Sequence, residues 1–193
     1  VSAPAGFGKT TLVTNWLSQV GSSSAWVSLD EDDNELLRFF TYVAAAVQQI
    51  EGVGQTIQSL LQVTQPVPLK SLATVLINDC LTAAAPFILV LDDYHLITET
   101  AVHEAVSFLL DNLPPQLHLV ITSRTDPLLP LPRLRARGQM TELRTDDLRF
   151  TPQEAVDFLQ QVMGLNLSVE QVSALETRTE GWIAGLQMAA LSL

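Results

Sequence analysis

The run Gly6-Phe7-Gly8-Lys9-Thr10-Thr11 limits what this chain can fold into more than any other stretch. Two glycines bracket one residue, a lysine and two hydroxyl residues follow, and from Thr10 to Val20 apolar residues recur at intervals of three and four. That spacing predicts a helix. A glycine-rich turn opening onto a helix N-terminus gathers bare backbone amides and the positive end of a helix dipole in one small volume, which suits a phosphate. Gly6 and Gly8 allow close approach, Lys9 supplies a point charge for the β and γ oxygens, and the Thr10 hydroxyl can ligate magnesium. The full pattern carries one more glycine, five residues before Gly8, where this chain has Ala3 followed by Pro4. A chance turn capping a helix is the alternative, and the placement of Lys9 and Thr10 speaks against it. Candidate nucleotide contacts are Pro4, Ala5, Gly6, Phe7, Gly8, Lys9, Thr10 and Thr11.

Magnesium beside a phosphate requires hard oxygen ligands. The apolar run Phe87 to Leu91 lacks period-two alternation, as a strand buried on both faces of a parallel sheet does, and it ends in Asp92-Asp93. Asp92, with Thr10, is the expected metal residue. Asp93 is expected to orient or deprotonate an attacking water, the alternative being a plain cap on the turn into Tyr94-His95. A third apolar run, Leu117 to Ile121, leads to Thr122-Ser123-Arg124. Ligands in open α/β sheets sit outside the carboxyl ends of the strands, so Arg124, with its forked cation, is the expected sensor of a terminal phosphate. Pairing with Asp126 at the surface is its alternative.

With Ala25 to Leu29 as another strand, Met140 to Arg144 as a weaker one, and helices at Thr10–Val20, Asn34–Ile50, Leu69–Ala84 and Glu99–Leu113, strand alternates with helix. The expected fold class is therefore α/β, a P-loop NTPase with a parallel sheet flanked by helices and strand order 5-1-4-3-2. A phosphate loop follows a strand, and here only Val1 and Ser2 precede it, so the first strand is expected to be largely truncated. Residues 52–68 read as a loop with one short helix, and Asp126 to Pro132 as an extended surface segment. After Phe150 only helices are expected, beginning at Thr151-Pro152-Gln153-Glu154 and again at Ser168-Val169-Glu170-Gln171. The domains expected are a nucleotide-binding core over 1–150 and the start of a helical module over 151–193.

Composition removes other classes. Hydrophobic residues make up 47% of the 193 positions, yet no run approaches the ~20 apolar residues of a membrane span. The formal net charge of −11, with basic residues grouped only at Arg133, Arg135 and Arg137, argues against nucleic-acid binding by this chain alone. A lone Cys80, placed on a helical pattern and expected in the core, fits a reducing cytoplasm. His95, His103 and His118 are scattered, and Trp16, Trp26 and Trp182 read as packing residues.

Taken together, these residues resemble the nucleotide-binding domain of the MalT-like, LuxR-type transcriptional activators, within the signal-transducing (STAND) P-loop ATPases. The phrases that carry the resemblance are Ser2 to Thr11, Val90-Leu91-Asp92-Asp93-Tyr94-His95, Ile121-Thr122-Ser123-Arg124, Asp147-Leu148-Arg149-Phe150 and Glu180-Gly181-Trp182-Ile183-Ala184-Gly185-Leu186-Gln187. Ala3 is ordinary in that family. The resemblance implies ATP or ADP with Mg2+ as cofactors, an ADP-bound resting state, inducer-triggered exchange for ATP, and weak ATP hydrolysis serving as a switch. It further implies self-association that brings a helix-turn-helix to promoter DNA, with inducer-binding and DNA-binding parts lying beyond Leu193. Related signalling ATPases use a Gly-x-Pro motif against adenine, where this chain has Gly181-Trp182-Ile183. The competing classes are a P-loop motor or kinase, for which the Arg133 trio is the sole arginine cluster, and a nucleotide-binding scaffold without turnover.

Overall fold

The computed structural model describes residues 1–62 and 67–192. Its contacts divide into two compact units, Thr14–Thr141 and Val1–Val13 with Glu142–Leu193. Helix α1, Lys9–Val20, starts in the latter unit and ends in the former.

In the Thr14–Thr141 unit, strands β1 (Ser24–Ser28), β2 (Phe87–Asp92) and β3 (Leu117–Ile121) form a parallel sheet in the order β1-β2-β3. The register aligns Val27 with Leu91 and Leu91 with Ile121, so the three strands end together. Every residue of β2 is buried, as its unbroken apolar run requires of a central strand. The α/β class with a parallel sheet is thus what the structure shows. The fuller order 5-1-4-3-2 goes beyond what these three strands establish. Helices α2 (Leu36–Val47), α3 (Gln55–Leu61), α4 (Leu69–Leu81) and α5 (Thr100–Asp111) supply Phe39, Phe40, Ile57, Leu72, Leu76 and Val106 to a core they share with β2. Buried Asp79 of α4 accepts from the Ile57 amide at 2.8 Å, which satisfies the first turn of α3. Cys80 is fully buried, and burial pushes its thiol up to about 12.

Several expectations need correction. The helix expected from Asn34 opens instead as a 3-10 turn, Glu31–Asn34, before α2 begins at Leu36. The Asp33 carboxylate accepts from the Asp30 amide at 2.9 Å, and Asp30 accepts in turn from Asp32 at 2.8 Å. Asn34 is held outside the helix because its amide group donates to Leu96 O and its Oδ1 accepts from Thr98 and Glu99 amides, at 2.9, 2.6 and 2.9 Å. Residues 52–68 do contain the one short helix expected of them, α3, and residues 63–66 lie outside the described residues. Asp126–Pro132 is not simply a surface segment. Leu129 and Leu131 are buried against the core, and helix α6 (Leu131–Ala136) starts within it, since proline is tolerated in a helix's first turn. No strand forms over Met140–Arg144, although Ser2 N donates to Leu143 O at 2.9 Å within that segment.

The other unit carries α7 (Thr145–Leu148), α8 (Pro152–Asp157) running into a π turn at Phe158–Val162, α9 (Val169–Thr179) and α10 (Ile183–Ala190). Both expected helix starts are capping boxes. Thr151 pairs with Glu154, and Ser168 pairs with Gln171. Ala155, Leu159, Val172, Leu186 and Ala190 form its buried core.

Candidate nucleotide-binding site

Gly6 and Gly8 sit at φ +77 and +73, in the left-handed region that glycine adopts at little cost. A Cβ on Gly6 would stand 2.6 Å from both Trp182 Nε1 and Ala184 Cβ. Space as well as conformation therefore demands glycine there. Helix α1 starts at Lys9, with Leu12 N donating to Gly8 O at 2.8 Å. Four successive carbonyls of the loop each accept a donor. The largely buried Lys9 Nζ donates to Ala3 O at 2.8 Å and Pro4 O at 3.0 Å. Trp182 Nε1 donates to Ala5 O at 3.0 Å, and Ala184 N donates to Gly6 O at 3.2 Å. No peptide bond is cis, and in a trans peptide the N–H points opposite to the C=O. The Ala5, Gly6 and Phe7 amides are therefore turned away from those donors, an arrangement suited to an anion. Phosphates of a nucleotide fit this chemistry of amides, helix N-terminus and lysine.

In the Thr14–Thr141 unit the carboxyl ends of β2 and β3 are knitted together through Thr122. Its amide donates to Leu91 O at 3.0 Å and its carbonyl accepts from Tyr94 N at 2.9 Å. Its hydroxyl donates to Asp92 Oδ1 and accepts from Asp93 N, the latter at 3.0 Å. Asp92 is 4% exposed, a buried carboxylate held at a strand tip. Asp93 adopts φ 57, ψ 36 and makes no side-chain cap to the turn Tyr94–Leu96; its carboxylate lies 3.7 Å from His95 Nδ1. Arg124 is exposed just past β3, while Asp126, its expected surface partner, lies 3.7 Å from Arg135. Ser123, between Thr122 and Arg124, has a buried hydroxyl with no hydrogen-bond partner at this same strand end. Beyond it, Tyr94 O–H and His103 Nδ1 meet at 3.1 Å inside the core, and burial pushes the tyrosine up and the imidazole down from their ordinary values.

The remaining expected residues are spread more widely. Trp16 is 41% exposed rather than packed, and Trp26 donates to Ser28 Oγ at 3.0 Å. Arg133 pairs with Asp111. Among the described residues no group of His, Cys, Asp and Glu is arranged to hold a metal by itself, and no helix is long and apolar enough to cross a membrane.

No protein-family model matches the chain. Curated sequences do. It is 41% identical, over a 194-residue alignment covering all of it, to the HTH-type transcriptional regulator MalT of Yersinia pestis (strain Pestoides F). The regulator of the same name from Serratia proteamaculans (strain 568) is likewise 41% identical over the same span. Along its whole length the chain is similar to one segment of these MalT sequences. That segment is 21% of the MalT sequences it matches, so the chain spans about a fifth of their length. Among solved structures, the Aeropyrum pernix ORC1 protein in complex with DNA matches with a TM-score of 0.52 at 14% identity, covering 98% of this chain and 52% of that one. At that identity the likeness is one of fold.

Proposed function

We propose that this MalT-type segment is a nucleotide-binding regulatory domain that takes ATP or ADP with Mg2+ on the loop Pro4 to Thr11. The observation that carries it is the loop itself: glycines in left-handed conformation, occupied carbonyls, amides turned outward, and Lys9 at the head of α1. Thr10 and Asp92 are the proposed magnesium residues, as a hydroxyl and a strand-end carboxylate suit a hard cation. Asp93 is proposed to position the attacking water and Arg124 to read the terminal phosphate. Hydrolysis serves to reset a switch rather than to make product. By analogy with the transcriptional regulators it matches, nucleotide state would govern self-association and promoter binding through regions outside this chain, in the cytoplasm.

Calorimetric titration of the chain with MgADP and MgATP, beside Lys9→Ala, tests the site. Loss of a charge-assisted contact worth about 1.5–3 kcal/mol predicts affinity more than tenfold weaker in the variant. Equal affinity in parent and variant would remove the loop from the site.

A further inference from the structure

From the bonds between the Gly181–Ala184 segment and the phosphate loop, we infer that Trp182 is a positioning residue that holds the loop's amides in their anion-binding orientation, a role that rests on the loop taking nucleotide phosphates as proposed above. The indole N–H and the Ala184 amide pin two consecutive carbonyls, Ala5 O and Gly6 O. Fixing a carbonyl fixes the amide on the other end of the same planar peptide, here those of Gly6 and Phe7. Sequence separation gives these bonds their significance. Trp182 lies 177 residues from Ala5, so the loop's conformation depends on a segment that the local sequence around it does not contain.

That segment is itself held firmly. Gly181 O accepts from Phe150 N at 2.9 Å, and Arg149 Nη1 donates to Glu180 O at 2.6 Å. Trp182 N donates to Thr179 O at 2.9 Å, tying the end of α9 to the start of α10. Gly181, at φ +70, has no room for a side chain: a Cβ would meet Phe150 O at 2.6 Å. Trp182 is therefore presented from a rigid corner, and its single indole donor is matched to the loop. Nothing in this arrangement requires the indole to touch the base. It acts through the loop backbone, and coupling of this kind is reciprocal: phosphate on the amides strengthens the hold of Trp182 on the loop, and release of Trp182 weakens phosphate binding.

The test uses the full chain and MgADP as the probe. Trp182→Phe keeps the ring and removes the donor, and it is expected to weaken MgADP about fivefold, the usual weight of one neutral hydrogen bond. A spectroscopic readout accompanies it. In 15N-labelled parent, the Trp182 indole N–H signal, assigned by elimination with Trp16→Phe and Trp26→Phe, is expected to shift on MgADP addition. This second measurement holds even where Trp182→Phe folds poorly. If Lys9→Ala weakens MgADP while Trp182→Phe binds like the parent, or the indole signal stays still on saturation, the positioning role is overturned and the nucleotide site stands. Failure of the parent to bind MgADP, or binding indifferent to Lys9, overturns the site and the role of Trp182 with it.

Discussion

The Thr14–Thr141 unit and the unit made of Val1–Val13 with Glu142–Leu193 are held together by different means. The first is a broad apolar core, in which β2 contributes Phe87, Leu89 and Leu91, none more than 1% exposed. The second has a much smaller core, centred on Ala155, Leu159, Val172, Leu186 and Ala190, and opens α8 and α9 on capping boxes. Burial is non-directional and hard to exchange, whereas directional bonds near the surface can be traded for bonds to a ligand or to water. The difference in core size predicts that the sheet unit is the harder of the two to loosen, an expectation that the following variants test.

The largest expected effect lies in the sheet unit. Leu89→Ala empties a fully buried site in the central strand and should cost about 2–5 kcal/mol in denaturant unfolding. A cost below 1 kcal/mol would mean that the core is loosely packed and the contrast false. Next is Gly181→Ala, which forces a side chain into the left-handed region against Phe150 O and should cost roughly 1–3 kcal/mol. Hydrogen exchange should show the loss in residues 142–192 with the protection of β2 unchanged; loosening of β2 to the same degree would merge the two units energetically.

Thr151→Ala removes the hydroxyl that accepts from the Glu154 amide and should cost about 1 kcal/mol, read as faster exchange across α8. The smallest effect is one of pH. The Thr151 amide, and then its hydroxyl, hold the Glu154 carboxyl below the ordinary 4.5. A depressed folded-state value stabilises above the unfolded one and is lost as pH falls through the folded value. Denaturation midpoints measured from neutral pH to below 4.5 should fall slightly more for the parent than for Glu154→Gln. Identical slopes would show that the box adds nothing through charge.

How much of this was legible in the sequence follows the same division. The run Phe87 to Leu91 announces a buried strand because a central strand has no polar face to alternate with. Thr151 and Ser168 announce helix starts because a capping box is a local contract between residues three apart. Prolines around Leu129 and Leu131 conceal two core residues, since proline marks irregular backbone without saying which way its neighbours point. Asn34 reads as helical by its spacing, yet its side chain is used up by Leu96, Thr98 and Glu99, partners more than sixty residues away. At the candidate site, Gly6, Gly8 and Lys9 are legible as a local motif. Ser123 and the Gly181-Trp182-Ile183 phrase are legible by position, but not the indole's bond to a carbonyl 177 residues off nor the burial of the Ser123 hydroxyl, neither of which has a local pattern.

Cys80 is the single thiol in the chain, fully buried and held protonated up to about 12. Thiolate is the reactive form, so alkylating dyes added to the folded protein meet no native competitor. A cysteine introduced at exposed Gln187, on α10, would then carry one label alone, and whether that helix responds to nucleotide becomes something a fluorimeter can follow without first stripping the protein of its own chemistry.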